Sequence, residues 1–128
     1  MIPTVLPKKL LLESQQQCSE RAKVVFISQH WEKEENARFT SHYVAGSRKC
    51  FLDVATSSPY LPNVPLVGEI VYDVANAKEM AVFLWINTRG KVNSEAAPIT
   101  CTVTDDTGQE SHCKSLGEFK QLIKQFMK

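Results

Sequence analysis

The last fourteen residues, SLGEFKQLIKQFMK, constrain the fold more than any other stretch of the chain. Leu116, Phe119, Leu122, Ile123, Phe126 and Met127 fall on one stripe of a 3.6-residue helix, and Lys120, Gln121, Lys124, Gln125 and Lys128 lie outside it. Ser115 and Glu118 form a capping box: the serine hydroxyl can accept from the Glu118 amide while the glutamate reaches back. A stripe this wide has to be laid on another apolar surface. The residues that precede it read as strands, so that surface is a sheet.

Residues 23–31 (KVVFISQHW), 37–45 (ARFTSHYVA) and 50–57 (CFLDVATS) are short runs rich in β-branched and aromatic side chains. The links EKEEN and GSRK suit hairpins, which predicts an antiparallel meander. SPYLPNVP, residues 58–65, holds three prolines and is expected to be a rigid connection outside the ladder. Residues 66–75 and 80–88 flank a turn at Asn76-Ala77-Lys78-Glu79, and the later run is apolar enough to be buried on both faces or to lie beneath a helix. Residues 89–98 form a polar loop. ITCTVTD and QESHCKS then make a final hairpin around Asp-Thr-Gly.

Before the strands, residues 7–21 lack β-branched side chains and are rich in Leu, Lys, Glu and Gln, with Pro7 suited to a first helical turn. The expected fold is therefore β-rich α+β: an antiparallel β-barrel or sandwich of about seven strands, with an N-terminal helix and a C-terminal capping helix. The expected organisation is an N-terminal helical segment, residues 1–22, and one barrel-like domain, residues 23–128. A chain of 128 residues can bury a single core without a staple.

In the final hairpin, a left-handed Gly108 places Asp105 against Gln109, Thr104 against Glu110 and Thr102 against His112, with Cys101 directly opposite Cys113. Ile99, Cys101, Val103, Ser111 and Cys113 then share the apolar face. The expectation is two buried free thiols, because four cysteines are too few for a secreted disulfide scaffold. A cross-strand disulfide would require an oxidising compartment. A zinc site would need four ligands, whereas no C-x-x-C is present and His112 points away from Cys113.

Nothing in the chain resembles a catalytic or cofactor motif. His30, His42 and His112 stand singly, no glycine-rich phosphate loop exists, and the charged run at residues 32–35 reads as a solvated turn. No cofactor, metal or small-molecule substrate is implied. A net charge of +1 argues against a strong sequence-independent grip on nucleic acid or acidic membrane, and no run is long enough for a membrane span. The N-terminus is a poor signal peptide, its apolar stretch being broken by Pro7, Lys8 and Lys9. An intracellular location, cytoplasm or nucleus, is expected.

Strands followed by one amphipathic C-terminal helix resemble the pleckstrin-homology-like superfold over roughly residues 23–128, most of all in TCTVTDDTGQESHCKSLGEFKQLIKQFMK. The resemblance implies a barrel plugged by its helix and a phosphoinositide, peptide or protein partner. Lipid-binding members carry clustered basic residues in the first hairpin loop, where this chain has Glu32, Lys33, Glu34, Glu35 and Asn36. A non-enzymatic protein- or peptide-docking module fits better, using the groove beside the helix, an exposed strand edge, or the N-terminal helix through Leu10, Leu11 and Leu12. The alternative is an OB-like single-stranded nucleic-acid-binding barrel, which V-T-D-D-T-G resembles. Its surface would come from Tyr43, Arg48, Lys49, Arg89 and Lys91, with Phe51 and Trp85 added only if they are not core.

Overall fold

The computed structural model describes residues 8–61, 64–86 and 98–127. It begins with helix α1, Lys8–Ser28, which ends seven residues later than the sequence predicts. The strand expected at residues 23–31 is absent because Ala22, Val25 and Phe26 fall on one buried helical face. Helical Val and Ile cost only tenths of a kcal/mol each, and burying a side chain such as Phe26 returns about 1.5–3 kcal/mol. The expected boundary at residue 23 therefore lies inside a helix. His30 ends it in the left-handed region (φ 66°), its amide bonded to the Ile27 carbonyl at 2.9 Å, and a 3-10 turn follows at Trp31–Lys33.

Six antiparallel strands then form one sheet in chain order: β1 (Arg38–Val44), β2 (Lys49–Leu61), β3 (Val64–Asp73), β4 (Lys78–Ile86), β5 (Thr100–Thr104) and β6 (Glu110–His112). β1 and β6 are the two edges of an open sheet, so the closed barrel of seven strands is not formed among the described residues. The proline-rich stretch at 58–65 also departs from expectation, because its backbone continues β2 and β3 into a long ribbon with Pro59 opposite Pro65. The ribbon tolerates proline because β1 pairs no further along β2 than Ala55, and β4 pairs along β3 only from Leu66. Neither proline faces a third strand that would need its missing N–H.

The sheet is packed on both faces. After α2 (Leu116–Leu122) the chain tightens into a 3-10 turn, Ile123–Phe126, and Phe119, Ile123 and Phe126 cover Phe51, Val71, Phe83, Trp85 and Val103. Phe83 stacks on Phe119 at 5.2 Å between ring centroids, and Phe51 on Phe126 at 4.9 Å. On the opposite face α1 lays Ala22, Val25 and Phe26 over Leu52, Val54 and Tyr72, with Phe26 4.5 Å from Phe39. Of the two alternatives expected for β4, burial on both faces or a place beneath a helix, the second holds: α2 covers one face. Ala81, Phe83 and Trp85 are buried there, while Val82, Leu84 and Ile86 are half-buried.

The final hairpin keeps the predicted register, with Thr102 opposite His112 and Thr104 opposite Glu110. Gly108 has φ +86°, and the Asp105 carboxylate accepts from the amides of Thr107 and Gln109, both at 2.9 Å. The Thr107 hydroxyl bond and those amide bonds hold the Asp105 carboxyl below the usual carboxylate range. The serine half of the capping box forms, Ser115 Oγ accepting from the Glu118 amide at 3.2 Å, while the Glu118 carboxylate accepts at 3.4 Å from the amide of Lys114, one residue before the N-cap.

The cysteines are corrected. Cys101 and Cys113 are joined by a disulfide, with Cα atoms 5.1 Å apart. Cys18 of α1 is joined to Cys50 of β2, with Cα atoms 5.4 Å apart, and no cysteine is free. Both spacings lie within the range a disulfide spans. Pairing wins over free thiols because one pair sits opposite in the ladder, and the longer α1 brings the other together across 32 residues.

Candidate binding cleft

The chain leaving α1 arches across the α1 side of the sheet before it enters β1. Between the arch and the strands lies a cleft of about 500 Å³, walled by Trp31, Glu34 and Glu35 and floored by Thr56, Leu66 and Leu84. The indole is fixed, since Trp31 Nε1 donates to the Tyr72 hydroxyl at 3.0 Å, and burial pushes that phenol's pKa up. Gly68 lies between Thr56 and Leu84 in the ladder, and a Cβ there would approach Thr56 Oγ1 to 2.9 Å. A glycine at that point keeps the floor flat. The cleft thus offers apolar surface, one rigid aromatic wall and a rim on which Glu34 and Glu35 outnumber Lys33.

A backbone feature borders the same cleft. β1 begins at Arg38, paired with Ala55, so residues 56–61 of β2 have no strand on that side among the described residues. This edge presents C=O groups and, except at Pro59, N–H groups able to pair with an added strand. The cleft meets this edge at Thr56.

On the other face, beneath α2, β2 and β3 carry two carboxylates. Glu69 is buried at 6 % exposure and takes a short contact of 2.5 Å from Lys120 Nζ. Asp53 Oδ1 and Glu69 Oε2 are both buried without another partner. Burial, followed by the hydrogen bond and charge of Glu69, pushes the Asp53 pKa up to about 7, against the opposing charge of Lys120. A proton on Asp53 would let its carboxyl donate to Glu69 and give the two orphan oxygens a partner. His42 on β1 stands opposite Phe51 and bonds Thr40 Oγ1 at 3.1 Å; burial lowers its pKa, opposed by the Glu69 charge. Lys120 ties this row to α2, which gives the cluster a role in seating the helix.

The residues singled out in the sequence are dispersed. Leu10 and Leu12 are 47 % and 57 % exposed on α1, and Leu11 is half-buried. Tyr43 is half-buried on β1, Arg48 is exposed in the β1–β2 turn with φ 57°, and Lys49 bridges Asp106 at 3.3 Å. Arg89 and Lys91 lie outside the described residues. Phe51 and Trp85 are 2 % and 4 % exposed, which places them in the core and takes them out of any base-stacking surface. Sequence reasoning missed Trp31 as a cleft wall and Arg21 as a neighbour of Tyr43 and Arg48, because both placements follow from the length of α1. The i, i+3, i+4 spacing of Ala22, Val25 and Phe26 is the signal that could have found them.

No helix among the described residues is long and apolar enough to cross a membrane. Comparison of the chain with protein-family models, with curated proteins and with solved structures returns no match.

Proposed function

We propose that this chain is a non-enzymatic binding module that takes an extended segment of a partner protein along the unpaired edge of β2. The observation that carries this reading is the coincidence of that edge, residues 56–61, with the cleft beneath Trp31. Main-chain hydrogen bonds to a free edge supply affinity, and pockets for alternate side chains supply selectivity. The floor of Leu66 and Leu84 suits an apolar side chain, and Glu34 and Glu35 on the rim suit a basic neighbour. A meander running straight into a C-terminal helix supports relating the chain to the pleckstrin-homology-like superfold, on element order alone.

The same proposal includes a compartment. The intracellular expectation rested on the poor signal-peptide character of the N-terminus and on cysteines too sparse for a secreted scaffold, whereas two disulfides support an oxidising setting such as the secretory route, a periplasm or the cell exterior.

Panning a random-peptide display library against the oxidised chain tests the docking reading. Selected peptides are expected to combine alternating apolar residues with a Lys or Arg, and to bind the exposed-rim variant Glu34→Lys/Glu35→Lys at least tenfold more weakly. Peptides that bind this variant as well as the wild type, or that perturb amides near Leu12 instead of Thr56, would overturn it.

A further inference from the structure

We infer that a second pocket, between α1 and the β1–β2 turn, is a binding site for a doubly charged oxyanion of the phosphate or sulfate type. It is separate from the cleft and does not depend on the peptide reading. Its volume is about 200 Å³, and it is lined by Ser14, Gln17 and Arg21 of α1 together with Tyr43 and Arg48, over the disulfide between Cys18 and Cys50.

Charge is the first argument. Two arginines face one small pocket, and neither forms an ion pair among the described residues, whose two salt bridges are Lys49–Asp106 and Lys120–Glu69. Lys49, next to Arg48, already has an acidic partner, so the unneutralised charge at this place belongs to the two guanidiniums. Like charges held on one pocket repel, and a dianion placed between them removes that repulsion. Arginine is suited to the task because its planar fork can present two N–H groups to one oxyanion. Ser14, Gln17 and Tyr43 supply neutral donors around it.

Construction is the second argument. Ser14, Gln17, Cys18 and Arg21 recur at three- and four-residue spacing, so one face of α1 forms the whole helical wall. The disulfide ties that wall to the first residues of β2, immediately after Arg48, and fixes the separation of the two arginines. A site held in this way loses little freedom on binding.

The test titrates isotope-labelled, oxidised protein with sodium sulfate and sodium phosphate at constant ionic strength, with sodium chloride as the reference. Saturable shifts of the Arg21, Tyr43 and Arg48 amides are expected, and the Arg21→Gln/Arg48→Gln variant should bind at least tenfold more weakly. Both arginines are surface residues, so the variant should fold, and its unchanged spectrum elsewhere checks that. Phenyl phosphate, a dianion at about pH 7.5, forms a further arm against inorganic phosphate. Tighter binding of the ester than of inorganic phosphate assigns the pocket to an anionic group on a larger partner, the reverse assigns it to the free ion, and either upholds the site. Shifts that do not saturate, that chloride reproduces, or that the double variant retains would overturn the proposal.

Discussion

Replacing Asp53 with asparagine should leave the protein more resistant to rising pH than the wild type. The folded-state pKa of Asp53 stands near 7 because its carboxyl is buried beside Glu69, whereas in the unfolded chain it returns to 3.8. Between pH 4 and 7 the folded state therefore holds a proton that the unfolded chain has released, and stability falls as pH rises through that window. A shift of roughly three units corresponds to about 4 kcal/mol as a ceiling. Partial exposure of Asp53 and the nearby charge of Lys120 reduce the expected effect to about 1–2 kcal/mol. In Asp53→Asn the amide can donate to Glu69 Oε2 in place of that proton, and the Asp53 titration is removed. Urea unfolding followed by tryptophan fluorescence at pH 4.5, 6 and 7.5 measures the difference. The variant should gain about 1–2 kcal/mol on the wild type across the series, and parallel pH profiles would refute the proton on Asp53.

Other consequences of the structure are equally direct. Thiol counting on denatured, unreduced protein should find no reactive cysteine; four thiols would remove the basis for an oxidising compartment. Replacing Cys101 and Cys113 by serine should cost about 3 kcal/mol and the Cys18, Cys50 pair about 4 kcal/mol, from the loop lengths they close, read by chemical denaturation. Gly108→Ala should cost about 1 kcal/mol through its φ of +86° alone, since no atom lies within 4 Å of the added methyl, and a neutral result would mean the turn relaxes. Single-stranded DNA titrated across a salt series should bind weakly, because Phe51 and Trp85 are core residues; tight binding with a steep salt slope would favour a nucleic-acid role.

Local chemistry made the C-terminal half legible. The Ser115 cap, the left-handed Gly108 and the register of the last hairpin each depend on residues within a few positions of one another, and all three form. The failures occur where a distant surface decides. Lys23 to Ser28 has the composition of a strand, yet Val25 and Phe26 are helical because Leu52, Val54 and Tyr72 lie beneath them. That change removed one strand, brought Cys18 to Cys50, and turned the acidic run after Trp31 from a hairpin loop into the wall of a cleft. Pro59 and Pro65 misled for a related reason: proline cannot donate within a central ladder, and among the described residues no third strand pairs with the ribbon where they stand. The pairing of Asp53 with Glu69 was invisible as well, since these residues lie sixteen apart and meet only through the β2–β3 register.

Amide hydrogen exchange along β2, with and without a peptide selected on the oxidised chain, bears most directly on the docking claim. An added strand should protect the outward-facing Ser57 amide, Pro59 having none, and leave the edge of β6 unchanged. Equal exchange at residues 56–61 in the free and bound protein, with protection appearing at another surface, would contradict it.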